Sequence, residues 1–115
     1  MIKCITVKLT GAYDISNAKA LVQLFSGTAG ARYVIVDLSE CNYVDSVAMT
    51  EMQRFHIRMR DSGSKAIFAS PSARFRDLLR ISNLDRVFTV TQSIEEAMKM
   101  VDEATNDSTQ TAPSV

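Results

Sequence analysis

The run Tyr33-Val-Ile-Val-Asp-Leu38 is the most constraining stretch of this chain. It is a nearly continuous apolar segment of strand length, and it shows no alternation between polar and apolar positions. Such a run fits a strand covered on both faces, as in a parallel sheet flanked by helices. The rest of the chain supplies what such a sheet needs, because strand-like and helix-like segments follow one another in turn.

Ile2–Leu9 is mainly of period two and rich in β-branched residues, which reads as a strand with one buried face. Gly11 breaks it. From Ser16 to Phe25, Ala18, Leu21, Val22 and Phe25 recur at helical spacing, and the Gly27–Gly30 stretch stops that helix. After the Tyr33–Leu38 strand, a polar loop is expected to deliver Asp45 and Ser46 to the start of a second helix. Ala48, Met52, Phe55 and Met59 form its apolar stripe, and Asp61-Ser-Gly63 ends it. Lys65–Ser70 is a third strand, and Pro71-Ser72 opens a helix through about Ile81 with Ser72 as N-cap. Asn83–Asp85 turns the chain into a fourth strand over Arg86–Val90. Ser93 and Glu96 form a capping box ahead of Ala97, Met98 and Val101.

The order β-α-β-α-β-α-β-α predicts a single small α/β domain over residues 1–103. Its sheet is expected to have about four to five strands, mixed but largely parallel, with about four helices packed mainly on one face. The remaining residues, 104–115, read ATNDSTQTAPSV and predict a disordered polar tail.

Composition narrows the function classes. Among 115 residues, thirteen Lys and Arg balance thirteen Asp and Glu, so no global preference for polyanions exists. There is no apolar run of about 18 residues to span a membrane, and no basic-then-apolar secretory pattern at the start. Cys4 and Cys41 stand too far apart for a CxxC pair. These features predict a reduced, cytoplasmic protein. The charge is nevertheless uneven: residues 54–86 hold eight basic and three acidic side chains, and the remainder holds five and ten. With little aromatic interleaving and no nucleic-acid-binding motif, this basic region reads either as a surface complementary to an acidic protein partner or as solvated helix faces.

Catalytic patterns are missing. There is no GxxxxGK[ST] or GxGxxG phosphate loop and no GxSxG elbow. His56 is the only histidine, so no metal site is expected. The segment that stands out is Val34-Ile-Val-Asp-Leu-Ser-Glu-Cys-Asn-Tyr-Val-Asp-Ser46, which carries Asp45 and Ser46 from a strand end to a helix N-terminus. In α/β sheets, ligands and partners dock at the carboxyl ends of strands. A serine there lies beside unpaired backbone N–H groups and the positive end of the helix dipole. Phosphorylation would add about −2 charge at that point without refolding the domain. On spacing alone, the commoner reading is that Asp45 or Ser46 merely caps the helix.

Four passages resemble the STAS domain family, named for sulphate transporters and anti-sigma factor antagonists: L-T-G-A-Y-D (9–14), V-I-V-D-L-S-E-C-N-Y-V-D-S (34–46), G-S-K-A-I-F-A-S-P-S (63–72) and L-L-R-I-S-N-L-D-R-V-F (78–88). The resemblance spans roughly Leu9 to Val101 and is nearest in pattern to the bacterial anti-sigma factor antagonists. It implies a non-enzymatic regulator of transcription acting by partner switching. In that scheme Ser46 corresponds to the serine phosphorylated by a partner that is both anti-sigma factor and serine kinase. Asp45 matches the aspartate before it, and Asp14 matches the acidic residue of the earlier G-x-x-D passage. The expected partner surface comprises Asp14, Asp45, Ser46, Val47, Met49 and Arg54, with no cofactor. Spacing also places Met49, Met52 and Met59 toward the core, and Arg54 and Arg58 as neighbours one turn apart.

Two departures from the family pattern stand out. The small residues usual after the D-S motif, Ser or Thr and then Gly, are Val47 and Ala48 here. The extra N-terminal edge strand of many family members is expected to be lacking or shortened here, and an uncovered edge would invite weak homodimerisation. An alternative that suits Val47-Ala48 is a constitutive STAS subunit of a stress-signalling or transporter complex. A nucleotide-binding enzyme ranks last, for want of a phosphate loop.

Overall fold

The structure is a computed structural model that describes the backbone of residues 2–111 and the side chains of residues 3–105. Its elements are β1 (Ile2–Tyr13), α1 (Ala18–Ser26), β2 (Ala31–Val44), α2 (Ser46–Asp61), β3 (Lys65–Ala69), α3 (Ala73–Ile81), a 3₁₀ turn (Leu84–Arg86), β4 (Thr89–Thr91) and α4 (Ile94–Thr111). The four strands form one sheet in the order β1-β2-β3-β4, and every pairing is parallel. The mixed character expected of the sheet is therefore replaced by a purely parallel one among the described residues.

Alternation along the strands assigns the two faces. Val7, Leu9 and Tyr13 of β1, Val34, Val36 and Leu38 of β2, and Ala66 and Phe68 of β3 point into one large core. α1, α2 and α3 close that core with Leu21 and Phe25, with Met52 and Phe55, and with Phe75 and Leu79. Crossovers of one hand that advance in one direction across a sheet put their helices on one face. Ile35, Ile67 and Ala69 point the other way, where Ala97 and Val101 of α4 cover them. The Tyr33–Leu38 run is thus buried on both sides for a concrete reason: three helices lie on one face and a fourth on the other.

Four element boundaries differ from the sequence reading. β1 passes through Gly11, which takes φ +84°, and ends only at Tyr13. β2 does not stop near Leu38; the expected polar loop is strand through Val44, paired only with β1. The cause is irregular register. Between the pairs Lys8–Asp37 and Thr10–Glu40, and again between Gly11–Cys41 and Ala12–Tyr43, β2 contributes an extra residue. Each bulge shifts the pleat by one, so β2 buries Leu38, Cys41 and Val44 at intervals of three. The fourth strand is the short Thr89–Thr91 rather than Arg86–Val90, because Leu84 is drawn into the core and folds the preceding residues into a 3₁₀ turn.

The fourth difference concerns α4, which runs to Thr111, past residue 104 where the composition predicts disorder. Its last buried residue among the described side chains is Val101, and the Thr105 hydroxyl donates to the Val101 carbonyl (2.9 Å). The rest of the expected tail, 112–115, lies outside the described residues.

Candidate functional site

The two long strands carry their carboxyl ends beyond β3, and the chain reverses there. At the tip, the Asp45 amide donates to the Tyr13 carbonyl (3.0 Å), joining the end of β2 to the end of β1. Asp45 then caps α2. Its Oδ1 accepts from the Ala48 amide (2.9 Å), and its Oδ2 accepts from the Ile15 amide across the β1–α1 turn (3.0 Å). One carboxylate therefore fixes both the start of α2 and the neighbouring turn.

Asp14 organises that turn from within. Its Oδ1 accepts from the Ser16 hydroxyl (2.5 Å) and the Ser16 amide (2.8 Å), and its own amide donates to Asn17 Oδ1 (2.7 Å). The Ser16 hydroxyl is the main reason its carboxyl titrates below the ordinary aspartate value. Asn17 Nδ2 closes the turn onto the Ala12 carbonyl (2.9 Å). Both aspartates thus hold the backbone in place.

Ser46 is the first residue of α2 and is exposed. It lies where two clefts meet, sharing Asp45 and Leu78 as their common wall. The first, of about 350 Å³, opens between the end of β2 and α3 and is lined by Tyr43, Arg74, Phe75, Asp77 and Ile81 among others. The second, of about 300 Å³, lies on the other side of Leu78 over Met49, Thr50, Gln53 and Leu84. The Arg74 guanidinium sits over the Tyr43 ring, 5.8 Å from its centroid, within reach for a cation–π contact. Asp77 is held by Arg80 (2.6 Å).

Of the residues expected at a partner surface, Asp14, Asp45, Ser46 and the exposed Val47 gather at this tip. Met49 faces inward at 5 % exposure and floors the second cleft. Arg54 stands eight residues along α2 from Ser46, about 12 Å at 1.5 Å per residue. It pairs with Glu51 (3.4 Å) and is not part of the cluster.

The sequence reading missed the apolar rim. Ile15 is 75 % exposed and Ile81 80 % exposed, with Tyr43 half-exposed between the strand tip and α3. Ile81 carried a usable signal, since it falls off the Phe75–Leu79 stripe of its helix. Ile15 and Tyr43 carried none, because the bulges in β2 and the turn at Asp14 decide which way they face.

Elsewhere, His56 is half-buried on α2 against Phe88 (ring centroids 5.4 Å apart), and its Nδ1 is buried without a hydrogen-bond partner. Burial, then Arg60 and Lys65, push its pKa down. Burial raises the pKa of both Cys4 and Cys41. Among the described residues, no three His, Cys, Asp or Glu side chains are placed to share a metal ion. Nor is any helix long and apolar enough to cross a membrane.

The sequence profile of the STAS domain matches residues 3–97, most of the chain. This chain belongs to the STAS domain family. Solved structures agree on the fold. A Thermotoga maritima protein assigned to the anti-sigma factor antagonists superposes with a TM-score of 0.80 at 22 % identity, covering 86 % of this chain and 87 % of its own. An anti-sigma factor antagonist from Mycobacterium paratuberculosis gives 0.79 at 18 % identity, covering 86 % of each chain. A sulfate transporter family protein from Wolinella succinogenes also gives 0.79, at 13 % identity, covering 90 % of this STAS chain and 88 % of its own.

Proposed function

We propose that this STAS domain is an anti-sigma factor antagonist that switches partners through Ser46. The unmodified form binds an anti-sigma factor with serine-kinase activity and so frees a sigma factor. The kinase transfers a phosphoryl group from ATP to Ser46 Oγ. A P–O bond to serine forms, the bond to the leaving ADP breaks, and the hydroxyl proton passes to solvent. The modified form lets go.

The observation that carries this reading is the exposed Ser46 hydroxyl between two clefts and beside an apolar rim, next to an aspartate fully engaged in the scaffold. Because Asp45 takes the Ala48 and Ile15 amides, the acceptor is presented by a fixed platform rather than a floppy loop. The first-turn amides of Ser46 and Val47 have no partner within the helix and tolerate a phosphate locally. The added charge, about −2, stands at the contact and disfavours a docked partner by repulsion and desolvation.

The test is titration calorimetry with the cognate anti-sigma factor, alongside mass spectrometry after incubation with ATP. The expected result is phosphate on Ser46 and binding weakened at least about tenfold by Ser46→Asp. Equal affinities and no phosphate overturn the reading. They would favour a constitutive STAS subunit, to which the exposed β-branched Val47 and the likeness to the Wolinella succinogenes protein lend support.

A further inference from the structure

Arg74 differs from Arg80 on the same helix, which is paired with Asp77. Arg74 lies on the second residue of α3 with its guanidinium over the Tyr43 ring, and it lines the same 350 Å³ cleft as Ser46. The two carboxylates of that cleft are already occupied, Asp45 by two amides and Asp77 by Arg80. No carboxylate competes for this guanidinium among the described residues. A cation held only by a ring face at 5.8 Å is weakly retained compared with one bound to a phosphate dianion.

We propose that Arg74 receives the phosphate on Ser46, and that forming this pair draws the guanidinium off Tyr43 and across the mouth of the cleft. Phosphorylation then acts in two ways. It adds charge beside Asp45, and it closes the apolar hollow formed by Tyr43, Phe75, Leu78 and Ile81. Loss of the hollow removes a docking surface that repulsion alone leaves open. This inference rests on Ser46 being the phosphoacceptor, but the contact itself is a property of the modified chain and needs no partner to be seen.

The test uses the full chain made with phosphoserine at position 46, in three versions: Arg74 retained, Arg74→Gln and Arg74→Lys. Arg74 is exposed, so these are surface changes, and backbone amide spectra confirm the common fold. Phosphorus NMR against pH reads the second ionisation of the phosphate, near pH 6 when unperturbed. Asp45 is common to all three versions and cancels in the comparison. With Arg74 present, the phosphate is expected to ionise about half a pH unit lower than in Arg74→Gln, with Arg74→Lys between them. The Tyr43 ring signals should move on modification only in the Arg74 chain. Identical phosphate titrations in the Arg74 and Gln chains, or Tyr43 signals indifferent to modification, overturn the proposal. A failure of the partner-switch reading would appear instead as unchanged anti-sigma factor binding by Ser46→Asp, whatever the titration shows.

Discussion

Asp45 commits both carboxylate oxygens to backbone amides that are far apart in sequence, Ala48 within its own helix and Ile15 in the turn before α1. Asp45→Ala therefore removes a helix cap and a tertiary tether together. The expected loss is about 2 kcal/mol of stability, read as a lower urea midpoint, with Asp45→Asn losing less because one acceptor oxygen remains. His56 sets a different dependence. Its folded pKa lies below the ordinary 6.5 because burial and the nearby Arg60 and Lys65 disfavour the charged ring. The unfolded chain thus binds the proton more readily, and stability rises with pH across this range. Stability is full above pH 6.5 and falls as the pH drops through 6.5 toward the lower folded value. Urea midpoints measured from pH 7.5 down to 5 should show that slope in the native chain and a flatter one in His56→Gln.

Among the elements, the Tyr33–Leu38 part of β2 and α2 were plainly legible, because a two-faced apolar strand and a helical stripe of Ala48, Met52, Phe55 and Met59 are local patterns that tertiary structure left intact. The end of β2 was not. Burial at Leu38, Cys41 and Val44 has neither a strand period nor a helix period until the two bulges against β1 are known, and a bulge is a property of two strands at once. The same limit applies to the site. Asp45 and Ser46 stand out as a helix start in one dimension, whereas the Arg74–Tyr43 wall joins residues 31 positions apart. The capping signal before α4 held up in altered form: Ser93 Oγ accepts from the Glu96 amide (3.1 Å), while the Glu96 carboxylate accepts from Gln92 rather than Ser93 (2.7 Å). α4 is the sole cover of Ile35 and Ile67 among the described residues, through Ala97 and Val101. Val101→Asp buries a charge in that small second core and is expected to cost about 3 kcal/mol. The thermal midpoint should drop sharply, while a surface change such as Lys99→Gln leaves it in place.

Across the whole molecule, charge is unevenly shared between the two faces. The eight basic residues between 54 and 86 fall on α2, β3, α3 and the turn after it. Glu95, Glu96, Asp102 and Glu103 lie on α4 across the sheet. A neutral chain can therefore present a strongly oriented field, which governs the approach of a partner more than the strength of the final complex. The parallel sheet has a consequence for how the domain can be attached to other things. β1 starts at the amino ends of the strands, and α4, leaving the carboxyl end of β4, runs back toward them, with Met100 in the same cluster as Cys4 and Tyr33. The first and last described backbone residues, Ile2 and Thr111, thus lie toward the pole opposite Ser46. Cargo, a tether or a further module fused at either end would hang behind the signalling tip like a handle behind a blade, leaving the working edge clear.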